Sequence, residues 1–359
     1  MSRQTAEPPL EMSPTPAAHP TFSGSSPSTG TPGEGRGEGF SSIPRDRFTF
    51  RNASKPFLIP LASFLALAIH YLLPNRGLNP STHTFRTILL ALLALGVILA
   101  IIPPLRRWSS PRSPLMAATI LILALWELIT IKLNLLPLIY FPPPETVFQT
   151  LIDDRRQLWQ STWHSLTLLL SGYFLGTVAG LISGITIGWS IRVRYWGMPI
   201  LKIVGPIPAT AWIPLALILF PQSIFAGMAL IALAVWFPLT MLSASGISNV
   251  RASYLDVAKT LGAGRMYLIF RVAIPAAMPS IFIGLFMGLG TSFLTLLVAE
   301  STGVSSGLGW YIDWARNYSD YNKVFAALLI MSAFFSGIMT LLFVVRDRVL
   351  VWQKGVIKW

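Results

Sequence analysis

The 359-residue sequence contains no cysteine, which excludes disulfides, thiol nucleophiles and thiolate-bound zinc, and leaves the redox compartment unreadable. Charge is the second shortage. Only 11% of the residues are charged, where a soluble domain carries about 25%, so most of the chain never meets water. Acids are the scarcer sign: 14 Asp+Glu against 27 Lys+Arg leave a formal charge of +13. Nucleic acid is not the expected partner, because the basic residues lie in short clusters between apolar runs, as they do in cytoplasmic membrane loops. No basic face interleaved with aromatic residues accompanies them. The four histidines (His19, His70, His83 and His164) are dispersed without metal-ligand spacing, so no metal site is expected. Nucleophile constellations and paired acids are missing as well, which argues against a membrane-bound enzyme. There is no Gly-x-x-x-x-Gly-Lys-Ser/Thr loop to cradle phosphates, so the chain is expected to bind no nucleotide cofactor of its own.

What the chain has is apolar length: 53% hydrophobic residues and a mean hydropathy of +0.61. The expected fold class is all-α, a polytopic membrane protein. Residues 1–55 are the exception. Rich in Ser, Thr, Pro and Gly, they cannot bury enough apolar surface to offset the entropy of ordering, and they predict a disordered cytoplasmic tail. Nothing in them resembles a secretory signal. Beyond them about eight runs are long enough to cross a bilayer, which takes about 20 helical residues. They cover 57–73, 87–102, 115–135, 163–189, 199–220, 224–246, 275–299 and 324–345.

Loop charge orients these runs. One set of connections carries Arg45, Arg47, Arg51 and Lys55, then Arg106, Arg107 and Arg112, then Arg192, Arg194 and Lys202. It continues with Arg251, Lys259, Arg265 and Arg271 and ends with Arg346, Arg348, Lys354 and Lys358. The alternate set is nearly balanced. The positive-inside rule places the first set, and both termini, in the cytoplasm of a multi-pass inner-membrane protein.

Three stretches are more than lipid anchors. Run 199–220 contains Pro199, Pro206, Pro208 and Pro214. Each interior proline removes a backbone hydrogen bond, and broken helices at membrane depth line translocation pathways or are sealed by protein. Residues 145–160 read as an amphipathic helix on the outer surface, either a docking face or a lid. Between the sixth and seventh runs, 251–275 is too polar to cross. A short helix with Ser253 as N-cap and Asp256 three residues on is expected there, ended by Gly262, with Pro275 opening the next span.

That last segment resembles the Glu-Ala-Ala loop of binding-protein-dependent ABC importer permeases. Asp256, Val257, Ala258, Gly262, Val272, Ile274 and Pro275 occupy its slots, with Asp for Glu, Val for the first Ala, and Val and Ile for Ile and Leu. A closer similarity to the permeases for nitrate, sulfonates, taurine and bicarbonate is carried by Leu136-Pro137 through Val147 and by Pro206-Ile207-Pro208-Ala209-Thr210-Ala211-Trp212-Ile213-Pro214. Leu297-Val298-Ala299-Glu300 and Ser306-Gly307-Leu308-Gly309-Trp310-Tyr311 continue it. The resemblance implies a type I ABC importer transmembrane fold over 113–359, with 56–112 as an extra two-helix hairpin. It further implies that 251–275 is a coupling loop and that ATP and magnesium sit on a separate cytoplasmic ATPase. A second permease copy, an extracytoplasmic substrate-binding protein and membrane lipid complete the implied partners, with a small anion as substrate. Ser165, Pro208, Thr210, Trp212, Thr240, Ser292, Thr295 and Glu300 are the expected translocation-path residues. Glu300 has a second reading, as an acceptor for neighbouring backbone or hydroxyls, since its charge would repel an anion. Glu127 reads as an inter-helix anchor and Lys132 as a side chain that snorkels to the interface. A secondary transporter or channel working without an ATPase is the alternative, although no repeat of the two halves is visible.

Overall fold

The computed structural model describes residues 55–76 and 83–353. The tail expected over 1–55 and the basic residues Lys354 and Lys358 therefore lie outside the described residues, apart from Lys55. Among the described residues the regular structure is entirely helical. After a short turn at Lys55–Phe57 come α1 (Leu58–Leu72), α2 (His83–Ile101), α3 (Pro103–Ser109) and α4 (Ser113–Glu127). A π-turn, Leu128–Lys132, extends α4. Then follow α5 (Pro144–Asp153), α6 (Arg155–Trp189), α7 (Ile191–Val204), a 3-10 turn at Ala209–Trp212, and α8 (Ile213–Leu219). The rest is α9 (Ser223–Ser248), α10 (Ala252–Thr260), α11 (Ile274–Thr302), α12 (Leu308–Asn317) and α13 (Tyr321–Val349).

Six of these elements are long and apolar enough to cross a bilayer: α2, α4, α6, α9, α11 with its lead-in from Arg265, and α13. Two of the eight expected runs differ. At 15 residues, α1 spans only about 22 Å against the roughly 30 Å of hydrocarbon, because Pro56 and Pro74 bracket it. The proline-rich run 199–220 is two helices bent by 84°, with Gly205, Pro206 and Pro208 in the break. A backbone lacking two N–H donors within three residues cannot hold one straight helix there.

The centre of the fold is set by glycine. Gly172, Gly176, Gly180 and Gly184 recur every fourth residue on one stripe of α6, and all four are buried. A Cβ at Gly176 would stand 2.5 Å from the Ala232 carbonyl oxygen, and one at Gly184 2.6 Å from Ser243 Cβ. Gly284 and Gly288 of α11 pack on α9 as well, where a Cβ would stand 2.9 Å from Leu239 and 3.0 Å from Val235. In lipid, apolar area gives no preference for a neighbouring helix over an acyl chain, so close backbone approach over small residues drives association. Helix α9 is thus clamped between α6 and α11 and is the most buried span. The opposite case is α13, with 6% of its apolar window buried.

Helices α1, α2 and α4 form a separate small core of Ile59, Ala66, Phe85, Leu89, Ile120 and Ala124, which Phe148 of α5 caps. A buried polar cluster lies beside it. His70 Nδ1 is 2.6 Å from Glu127 Oε1, as an anchor between helices requires. Lys132 does not snorkel: it is 4% exposed and donates to the carbonyls of His70 (2.6 Å) and Leu73 (2.8 Å) and to Asn75 Oδ1. The frayed carbonyl end of α1 supplies acceptors that water would otherwise have to supply.

Candidate functional site

The amphipathic segment expected over 145–160 divides at Asp154 into α5 and the first turns of α6. Asp154 holds the division in place by accepting from Tyr311 (2.7 Å) and Lys323 (3.0 Å). Burial alone would raise its pKa, but these hydrogen bonds and the Lys323 charge outweigh burial and hold it below the usual carboxylate range. Glu145 is the reverse case. It is 2% exposed, and neither carboxylate oxygen has a partner among the described residues. Burial, eased by His70 and reinforced by Glu127, pushes its pKa up to about 7.

Glu300, at the end of α11, is a bolt between three helices. Its Oε1 accepts from Ser165 Oγ (2.7 Å) on α6, and its Oε2 accepts from the Gly309 amide (2.8 Å) at the start of α12. Ser165 Oγ in turn accepts from the Leu308 amide (2.8 Å). Both side chains are buried, and the carboxylate sits where free helix N–H groups and the helix dipole favour negative charge. Gly307 makes the approach possible. Its φ is +105°, and a Cβ there would overlap the Glu300 carboxylate.

The bend between α7 and α8 opens a cavity of about 360 Å³ against α9 and α11. Pro208, Thr210 and Thr295 of the expected path residues line it. Phe237, Met287 and Thr291 line it too and were not foreseen. Thr291 is held by bonds to the Ala234 (2.9 Å) and Met287 (3.1 Å) carbonyls. The other expected residues are elsewhere. Ser165 and Glu300 form the bolt. Thr240 bonds Ser183 (2.7 Å) in the α6–α9 contact, and Ser292 is buried and donates to the Leu289 carbonyl (2.8 Å). Trp212 packs on Ala216 and Leu230, and its buried indole N–H has no partner among the described residues. No Lys or Arg lines the cavity.

The loop 251–275 is built differently. Ser253 lies inside α10 rather than capping it; Arg251 holds the N-cap position without a side-chain bond. Asp256 instead pairs with Lys259 at 3.1 Å in solvent, one turn away, which a four-carbon lysine reaches and a main-chain amide does not require. Helix α10 buries none of its residues. Val257 and Leu261 are 61% and 83% exposed, and Tyr254, Val257 and Ala258 wall a groove of about 480 Å³ with Tyr267 and Arg271. Gly262 turns the chain at φ +82° with open space around it, its amide donating to the Lys259 carbonyl (2.9 Å). Beyond Gly264 the chain runs through Arg265–Tyr267 and the π-turn Leu268–Ala273 into α11, the three together making one 38-residue apolar helix from Arg265 to Thr302. Ile274 and Pro275 are half-buried at the joint.

Comparison with known proteins places residues 176–351 in the family described as binding-protein-dependent transport system inner membrane component. The taurine transport system permease protein of Escherichia coli is 30% identical over 59% of this chain and 79% of its own. A Bacillus subtilis permease protein assigned to aliphatic sulfonates transport is 34% identical over 59% and 77%. The nitrate import permease protein of Leptolyngbya laminosa is 31% identical over 49% and 63%.

Proposed function

Since the chain belongs to the family of binding-protein-dependent transport system inner membrane components, a multi-pass permease of the ABC importer class, we propose that it forms the translocation path of an ATP-driven importer and couples that path to a separate cytoplasmic ATPase through 251–275. The observation that carries this reading is the exposed apolar face of α10 joined to the longest helix of the fold. Large apolar side chains on a segment outside the membrane call for a protein partner. A push on α10 travels along the helix that starts at Arg265. Thr291 and Thr295 lie about 40 Å along it, in the wall of the cavity. One rigid element therefore touches both the lever and the path, which is what two-state alternating access requires.

In this reading the labour is divided between chains. ATP and magnesium belong to the ATPase, and this chain is the non-catalytic subunit. Two copies of the permease, each with one ATPase, make the transporter, and both termini lie in the cytoplasm. The substrate is a small anion of the nitrate, sulfonate, taurine or bicarbonate kind. Thr210, Thr291 and Thr295 offer neutral hydroxyls, whereas a lysine or arginine in the path would trap an anion. Selection rests with an extracytoplasmic binding protein. Reconstitution with the ATPase and binding protein tests the reading through two variants, Asp256→Lys and Gly262→Trp. Both are expected to abolish substrate-stimulated ATP hydrolysis while the permease still folds. Survival of complex assembly and stimulated hydrolysis in both would overturn the coupling assignment, and uptake without any ATPase would favour a secondary transporter.

A further inference from the structure

We propose that the pocket at the foot of the α1–α2 hairpin binds the phosphodiester headgroup of an anionic phospholipid. The pocket has a volume of about 570 Å³ and lies between the Lys55–Phe57 turn, the end of α2 and the short helix α3. Arg106, Arg107 and Ser110 give it a polar floor, and Pro56, Ile101 and Pro103 give it apolar walls. That pairing suits a molecule with an anionic head and a hydrocarbon body.

Among the described residues no acid answers the charge there. The sequence holds no acid from Arg47 to Trp126. Among the described residues no carboxylate lies within salt-bridge distance of Arg106, Arg107 or Arg112, while Arg316 and Arg346 each pair with a neighbouring aspartate. Aromatic faces hold two of the guanidinium groups instead. Arg106 lies 5.9 Å from the Phe57 ring centroid and Arg112 4.7 Å from that of Trp108. Arg112 also donates to the Trp108 carbonyl at 3.0 Å. Such contacts orient an arginine without neutralising it, so its planar fork of donors is left for a phosphate.

Depth fixes the source of that phosphate. Helix α2 ends at Ile101 after 19 apolar-rich residues, and α3 turns off at Pro103-Pro104, so the pocket lies at the water–lipid boundary. Trp108, 55% exposed, stands where tryptophan anchors to headgroups. Ile101 and Leu105 are exposed beside it and meet acyl chains. The loop-charge orientation assigned above puts this end on the cytoplasmic leaflet, where basic pockets between helices hold anionic heads. Bound there, the lipid would fasten the hairpin to the membrane plane beside the permease core.

The test is native mass spectrometry of the full chain, in complex with its ATPase, released from nanodiscs of phosphatidylglycerol mixed with phosphatidylcholine. Retained phosphatidylglycerol is expected on the wild type. The double variant Arg106→Gln/Arg107→Gln is expected to lower its retention about 30-fold, and Arg106→Lys/Arg107→Lys, which keeps the charge but loses the planar fork, to lower it by less. Should the glutamine pair fail to assemble, Ser110→Trp, which fills the pocket and leaves both charges, is expected to give the same loss. Equal retention of phosphatidylcholine, or unchanged retention in the glutamine pair or in Ser110→Trp, would overturn the proposal. Displacement of the lipid by excess inorganic phosphate would assign the pocket to a free anion and overturn it too.

Discussion

Replacing Glu300 by alanine removes an acceptor that two buried donors share. The Gly309 amide and the Ser165 hydroxyl lie 2.8 and 2.7 Å from the carboxylate, in a site with 1% exposure at Glu300. Each orphaned buried donor costs about 1–3 kcal/mol, so the alanine variant should lose roughly 2–6 kcal/mol before any cavity term. Glutamine should lose only about 1 kcal/mol. Its oxygen can still face the Gly309 amide, and its NH2 can donate to Ser165, whose oxygen has a second lone pair beside the one taken by Leu308. The order wild type, glutamine, alanine is therefore a consequence of geometry. Thermal unfolding in nanodiscs, followed by the fluorescence of the 12 tryptophans, measures it, with uptake assayed in parallel. A Glu300→Gln variant that is as stable as wild type yet transports nothing would refute the bolt and make the charge itself part of translocation.

Gly307→Ala should destabilise to a similar extent, because a Cβ at φ +105° would overlap the same carboxylate. Combined with Glu300→Ala it should cost less than the sum, and strict additivity in a double-mutant cycle would contradict the shared contact. Gly176→Leu, set 2.5 Å from the Ala232 carbonyl oxygen, should prevent α6 and α9 from closing, read as loss of folded protein in the membrane fraction. Glu145 carries a pH signature. Its folded-state pKa is raised by burial to about 7, so the native state binds more protons than the unfolded one between about 4.5 and 7. Stability should fall as pH rises through that window and level off above it. Glu145→Gln should abolish the slope in unfolding midpoints measured across it.

The long spans were legible because a bilayer imposes length and hydropathy on any helix that crosses it. The turn inside 251–275 was legible because Gly262 and Pro275 punctuate the segment, and Gly262 does take a positive φ. What the sequence hid is of two kinds. Pairs such as His70–Glu127 and Ser165–Glu300 join residues 57 and 135 positions apart, and no local pattern announces them. Lys132 misled for the same reason, since the carbonyls that hold it belong to α1. The second kind is angle. Four prolines announced a broken run at 199–220 but not an 84° bend, and so not that Phe237, Met287 and Thr291 would wall the cavity it opens. The glycine stripe of α6 was visible as a repeat of four, and it was the overlooked signal for the tightest helix contact. Ser253 looked like an N-cap by residue type, yet α10 begins one residue earlier and leaves it inside the helix.

The proposed coupling of α10 to a motor subunit is open to a direct measurement, because the sequence has no cysteine to remove. Val257→Cys, on the exposed face of α10, can be labelled with a photoactivatable maleimide and irradiated in membranes that also contain the ATPase. Trp159→Cys, exposed on the first turns of α6, serves as the control on the opposite side. The expected result is a covalent adduct between permease and ATPase from position 257 and none from position 159, its yield changing when ATP is added. Adducts of position 257 with lipid alone, or equal yields from both positions, would contradict the coupling of this helix to the motor.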